Sequence, residues 1–446
     1  MNRVLIFVLL FSADAAAIPP GMDLDGPVPP PRKGNRPRGK GISLPLGADR
    51  AVVNIKLPAP PRGGAAPFSF GDDRNGWVAR VPERVQLPSV AFGGDRVYVS
   101  GGFESYSFYA LDAHDGRMLW ASQALEDNGP TAPVYDDERV IFNTESCTLF
   151  VIDARTGKKL WFKYLGDPTL SQPAVAEGLV YASHPSPVGQ ALTAFRIKDG
   201  ARVWTRRIDA ELLAAPVAFG GAVYATTVSG RVYRFDAQKG KAAWSRALAA
   251  TSAPWIHGGE LHLTRRAQGQ EMQIVVSAGD GAILREHRRQ AARYLADIPR
   301  DLGDWKKVWA YEGSRPAVID GVRYEAMGGT LVASDPETGE PFWTRRVTGQ
   351  EDRRALGAVA VAGAQVVVAA RSGEIYGLDV DTGYTVWAYS LGRRIIAQPI
   401  VARGWVYATT ETGEVVALHV GDETLDGWHM WGGSPGHNGS VAAKKL

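Results

Sequence analysis

Along most of the chain, apolar residues fall in short alternating runs, and each run ends at an Asp followed by a turn containing Gly. The pattern reads YALDAHDGRMLW (Asp112, Gly116, Trp120), FVIDARTGKKLW (Asp153, Gly157, Trp161) and YRFDAQKGKAAW (Asp236, Gly240, Trp244). It returns as VASDPETGEPFW (Asp335, Gly339, Trp343) and YGLDVDTGYTVW (Asp379, Gly383, Trp387). TAFRIKDGARVW keeps Gly200 and Trp204 but has Arg196 in the Asp place, and VVSAGDGAILR keeps Gly281 with Arg285 in the Trp place. A second element of the form PAV-x-x-G-x-VY precedes the copies, as at 173–181 and 399–407. Alternation with a period of two predicts half-buried strands. The Asp accepts backbone N–H groups of the tight turn, the Gly adopts a positive φ at little cost, and the Trp opens the next strand.

An indole presents a large flat apolar face that one small sheet cannot hide, so neighbouring sheets must stack on it. The Trp spacing counts those sheets. Trp120 to Trp161 is 41 residues, then 43 to Trp204, 40 to Trp244, 41 to Arg285, 58 to Trp343 and 44 to Trp387. One more set of inner strands follows, Ala397 to Val420, with no Trp at the expected offset; Trp77, which lies 43 residues before Trp120, supplies it. A period near 40–45 residues with four strands per repeat predicts a β-propeller. The expectation is an all-β, eight-bladed propeller whose N-terminal strand at Trp77 closes the last blade; seven blades is the alternative.

The D-x-x-T-G-x-x-x-W form, complete at Asp153–Trp161, Asp335–Trp343 and Asp379–Trp387, resembles the tryptophan-docking motif of quinoprotein-like (PQQ-like) propellers. The terminal WHMWGGSPGHNG (428–439) resembles a W-x-M-x-G-G-x-P-x-x-x-G segment at the ends of some of them. That resemblance implies structural docking roles for Trp77, Trp120, Trp161, Trp204, Trp244, Trp343 and Trp387. The family has a catalytic branch, which oxidises alcohols and sugars with pyrroloquinoline quinone and calcium, and a non-catalytic branch of BamB-like periplasmic scaffolds. The repeat is common to both and names no chemistry.

The N-terminus adds an address. Met1-Asn2-Arg3, the apolar run Val4–Phe11 and Ala15-Ala16-Ala17 predict a signal peptide over 1–17, hence a periplasmic or secreted protein with no transmembrane segment. No cysteine follows the apolar run to accept a lipid. Residues 18–66 are rich in proline, and 26–41 hold Arg32, Lys33, Arg36, Arg38 and Lys40 with no acid. This stretch is expected to be a disordered basic linker, either a solvated spacer or an arm for an anionic surface. The propeller spans 67–420 and a C-terminal extension 421–446.

Charge and composition mostly exclude. A net charge of +3 marks no nucleic-acid binder, and the single Cys147 precludes disulfides and cysteine metal clusters. His257 and His262 stand five apart, on opposite faces of a strand, and His429 and His437 are expected to be hydrogen-bonded surface groups. A quinone enzyme needs calcium ligands, a carboxylate base and a cofactor sandwich; Asp127, Asp136, Asp137 and Glu145 fall near blade edges, where turn roles account for them. No catalytic residue, metal or cofactor is assigned, pyrroloquinoline quinone with calcium being the rival. The long interval after Arg285 carries Arg288, Arg289, Arg293, Trp305 and Trp309, residue types suited to a partner contact. The chain is therefore expected to be a monomeric, non-catalytic envelope scaffold that binds protein, with quinone-dependent oxidoreductase and polyanion or glycan binder as alternatives.

Overall fold

The structure, a computed structural model, describes residues 42–44, 50–71, 74–123, 125–145, 148–166, 171–267, 270–288, 316–347 and 356–439. Among them are eight sheets, each built on four antiparallel strands, and no helix. Blade 1 shows the plan: Ala91–Gly93, Arg96–Ser100, Ser107–Asp112 and Met118–Gln123 pair in order. Blades 2 to 7 follow over 134–164, 174–208, 217–247, 255–288, 317–346 and 360–390. The first strands touch at seven of the eight seams, blade 8 against blade 1 included, and Trp244 of blade 4 bonds to Ala278 O of blade 5, so the ring is closed with its short inner strands around an axis.

Blade 8 joins the two ends of the propeller. Ile400–Ala402, Trp405–Thr409 and Glu414–His419 come from the C-terminal side, and Arg74–Arg80 pairs onto them with Trp77 opposite Ala417. Closure by hydrogen bonds between distant segments leaves no free edge where the circle meets.

In three blades one row of side chains facing the next blade repeats a size pattern: small, Tyr, small, Trp. It reads Ala91–Tyr98–Ala110–Trp120 in blade 1, Ala174–Tyr181–Ala194–Trp204 in blade 3 and Ala317–Tyr324–Ala333–Trp343 in blade 6. Small residues leave room for the two large rings, so the row fills one layer. Six indoles (Trp77, Trp120, Trp161, Trp204, Trp244 and Trp343) donate Nε1–H to a carbonyl of the next blade, one residue past its repeat Asp position, at 2.8–3.0 Å. Tyr181 and Tyr407 donate to the same carbonyls as Trp204 and Trp77, at 3.3 and 3.2 Å. The repeat Gly lies flat against the ring: a Cβ on Gly116 would stand 2.4 Å from Trp77, and one on Gly383 2.6 Å from Trp343. The Asp closes the turn as the spacing implies, Asp153 Oδ1 accepting from Thr156 N at 2.8 Å and Thr156 Oγ1 at 2.6 Å.

Within the linker expected over 18–66, the described residues include paired strands. Ile42–Leu44 pairs parallel to the outer strand of blade 6, Val53–Asn54 parallel to that of blade 7, and Ala65–Phe70 antiparallel to Arg74–Arg80. Blades 6 and 7 thus gain a fifth strand from residues expected to be solvated, the fifth strand of blade 8 begins at the last two of them, Ala65 and Ala66, and Ile55 is buried with its N–H 2.9 Å from Ser390 O. Proline density argues against a helix or a packed core element, but an edge strand needs only backbone groups on one side.

Candidate functional site

Two seams depart from the docking row, and the departures locate what is particular to this chain. In blade 5 the row reads Trp255–His262–Val275–Arg285, so Arg285 does stand in the Trp register. Its guanidinium pairs with Glu260 rather than docking. His287, two residues further on the same face, covers Gly339 instead, where a Cβ would meet the imidazole at 2.7 Å. The indole has moved to the inner end of the row: Trp255 donates to Val318 O of blade 6 at 3.0 Å. Facing it across the seam, Arg323 and Glu325 are almost fully buried. Burial pushes the His262 imidazole down to about 2, aided by the Arg323 charge, so it stays neutral at physiological pH. In blade 7, Trp387 is buried but turns back over its own blade's Gly377 and donates to Gln365 Oε1 at 2.7 Å. The next blade offers it no docking hairpin, because its third and fourth strands come from opposite ends of the propeller.

The shifted Trp255 has a partner. The chain leaves blade 8 as a tail, residues 421–439, which lies across the axis. Trp428 exchanges backbone hydrogen bonds with Val401 of blade 8, and His429 O accepts from Phe92 N of blade 1. On the far side, Pro435 O accepts from Val175 N of blade 3 and Gly436 O from Ala218 N of blade 4. Asn438 holds both backbone groups of Ile256 in blade 5, at 2.7 and 3.0 Å. Trp428 stacks on Trp255 with centroids 5.6 Å apart and planes 6° from parallel, so the displaced indole of blade 5 clamps the tail. The tail's glycines let its backbone approach the inner strands closely; a Cβ on Gly436 would lie 2.2 Å from Ala218 O. His437 is therefore no surface group. It is 1% exposed, with Nδ1 2.6 Å from Trp431 O and Nε2 2.9 Å from Pro173 O. His429 is partly buried, bonded to Asp426 Oδ1 at 2.7 Å.

The face that carries the connections from each outer strand to the next inner strand is polar. Glu211, in the connection from blade 3 to blade 4, accepts from Ser183 Oγ at 2.9 Å, and Ser183 Oγ lies 2.9 Å from Ser171 Oγ. With its amide turned to donate, Gln190 reaches the second Glu211 oxygen at 3.1 Å. Loss of solvent pushes the Glu211 carboxyl up to about 7, against the lowering effect of these donors. Gln172, two residues before the inner strand of blade 3, is 2% exposed. Asp127 accepts from Thr144 Oγ1 at 2.8 Å and Asp209 from Ser229 Oγ at 2.7 Å. These carboxylates are tied to hydroxyls of neighbouring turns and do not converge. Among the described residues no group of three or more His, Cys, Asp or Glu could hold a metal ion. This donor set does not fit a calcium-quinone centre, which needs several oxygens aimed at one point.

Of the partner-contact residues named from sequence, Arg289, Arg293, Trp305 and Trp309 lie outside the described residues, as do Cys147 and the basic run 26–41. Arg288 ends the outer strand of blade 5. Glu145, expected near an edge in a turn role, is buried at 7% exposure with its N–H on Gly129 O. Sequence reasoning missed Glu211 and Trp255: neither falls at a repeat position that periodicity would mark.

A closed ring of eight four-stranded blades docked through Trp, Tyr and Gly defines this molecule as a β-propeller of the PQQ-like repeat class. The family model described as outer membrane protein assembly factor BamB matches residues 67–287 and 327–432, and the chain belongs to that family. An outer membrane protein assembly factor BamB of Yersinia pestis is 25% identical over 210 residues, which are 44% of this chain and 51% of the relative. The chain thus aligns with about half the length of that protein. The crystal structure of BamB from Moraxella catarrhalis superposes with a TM-score of 0.58 at 18% identity, over 79% of this chain and 97% of that one. A quinohemoprotein alcohol dehydrogenase from Comamonas testosteroni shares the fold as well, with a TM-score of 0.54 at 12% identity, over 76% of this chain and 75% of that chain. Fold likeness therefore spans both branches, and the site chemistry has to separate them.

Proposed function

We propose that this chain is a non-catalytic, protein-binding scaffold that faces the periplasm and serves outer-membrane protein assembly. The family match carries the reading, since it extends over most of the ring and into the tail. Two physical features support it. The tail occupies the axis from blade 8 to blade 5, and on the opposite face the buried Glu211 and the half-buried Asp127 are committed to holding loops together. What remains for recognition is the outer surface of the ring, which suits broad contact with proteins better than enclosure of a small substrate.

Deleting the gene and measuring the abundance of folded β-barrel proteins in the outer membrane tests the proposal. A loss restored by the full chain supports it, and unchanged levels under envelope stress overturn it. Saturable dye-linked alcohol oxidation by the purified protein with added quinone and calcium would instead establish the oxidoreductase reading. Fractionation of the native host should place the protein in the periplasmic or outer-membrane-associated fraction.

A further inference from the structure

Three of the eight blades carry a fifth strand at the outer edge, and blade 2, which carries none among the described residues, is the blade whose outer strand exposes aromatic rings. In blade 7 the residues after the Trp are Ala388 and Tyr389, and in blade 8 they are Val78 and Ala79. All four are at most 3% exposed, and both strands carry a fifth strand from the N-terminal arm. Phe70 of the arm side packs edge-on against Tyr389 at 4.9 Å. In four blades these positions are small or polar and the edge is bare among the described residues: Ala121 and Ser122, Thr205 and Arg206, Ser245 and Arg246, Glu286 and His287; blade 6 has Thr344 and Arg345 there and carries Ile42–Leu44. Blade 2 has Phe162 and Lys163 there, and along its outer strand Leu160, Phe162 and Tyr164 share one face at 50%, 48% and 71% exposure, with no fifth strand among the described residues. The Phe162 ring continues a stack through Phe150, Phe142 and Phe108, with centroid separations of 5.8, 5.4 and 4.3 Å, so a rigid aromatic ladder ends at an open strand.

We infer that the outer strand of blade 2, Lys159–Tyr164, is a docking edge that takes an extended segment of a partner polypeptide as its fifth strand. Unpaired backbone groups along an edge supply the affinity, and side chains at alternate positions supply the selection. The chain's own arm shows that this ring accepts such a strand, in the parallel sense, at the equivalent position of blades 6 and 7. The occupant's chemistry follows from the edge. Apolar side chains at alternate positions would cover Phe162 and Tyr164. Acidic residues between them would meet Arg155, Lys158, Lys159 and Lys163, where Glu126 is bonded to Lys159 at 3.2 Å. Edge lysines alone would read as protection against pairing; lysines flanking exposed aromatic rings select for a charge-complementary strand. This inference rests on edge geometry and does not depend on the proposed role in assembly.

The test uses the full chain and a blocked synthetic peptide, Glu-Val-Thr-Val-Glu-Val-Thr, with the same peptide N-methylated at alternate amides. Saturable binding with slowed amide exchange in 159–164, abolished by N-methylation, is expected. A Phe162→Thr/Tyr164→Thr variant should bind about tenfold more weakly. Tyr164→Thr alone guards against a folding artefact, because that side chain is mostly exposed, and it should weaken binding in the same direction. No saturation by roughly 1 mM, equal binding by the methylated peptide or the double variant, or protection elsewhere overturns the inference. So does an edge already protected in the free protein that deletion of residues 18–40 exposes, since the strand would then be the chain's own.

Discussion

Glu211 offers the sharpest quantitative test of the buried polar face. Its carboxyl is 2% exposed, and burial carries it from an ordinary value of 4.5 to about 7. A folded-state value raised above the unfolded one favours the protonated, folded form. Its contribution to stability is complete below pH 4.5 and is lost as pH rises through 7. A shift from 4.5 to 7, at about 1.4 kcal/mol for each tenfold change in proton affinity, amounts to about 3 kcal/mol. Glu211→Gln keeps an acceptor for Ser183 Oγ and removes the titration. Guanidinium unfolding of both proteins should therefore give similar free energies at pH 4.5 and a variant more stable by about 3 kcal/mol at pH 8. Other groups titrate nearby: burial lowers the His184 imidazole, which costs stability as pH falls, while Asp209 is lowered with Ser229, Thr227, Tyr233 and Arg231 favouring its charged form. The difference between the two proteins cancels both. Parallel pH profiles for wild type and Glu211→Gln would refute the argument that this carboxyl is buried without charge compensation.

Further outcomes follow from the packing. Trp161→Ala should lower stability by about 3–5 kcal/mol, as a large truncation in a docked row, and an unchanged unfolding midpoint would count against docking. Gly383→Ala should destabilise on two grounds, a φ of 70° and a Cβ 2.6 Å from Trp343; combined with Trp343→Ala, which vacates that space, the loss should be less than additive in a double-mutant cycle. Asn438→Ala leaves both backbone groups of Ile256 without its side chain and should cost about 1–3 kcal/mol. Amide exchange in 428–438 should rise while exchange in the blades stays unchanged. Removing residues 74–80 takes the fourth strand out of blade 8 and should give an open, aggregating product visible by light scattering.

The period of the ring was legible because everything that builds a docking hairpin lies close together in the chain. Asp153 bonds within its own turn, Gly157 follows it, and Trp161 begins the adjoining strand, so the physics repeats wherever those letters repeat. Even the closure was legible, since Trp77 keeps the common spacing and belongs in the vacancy it fills. The arm was not, because an edge strand such as Val53–Asn54 binds through its backbone and leaves no side-chain pattern. Nor could spacing reveal that Trp255 takes over docking in blade 5, a single indole carrying no period. Tertiary structure alone decided the tail: Asn438 meets Ile256 across 182 residues, and His437 becomes buried only because three inner strands converge on a chain that passes between them. Local hydrogen bonds and side-chain size set the repeat, whereas the burial of Glu211 and the exposure of Phe162 depend on which segments the closed ring brings, or fails to bring, against them.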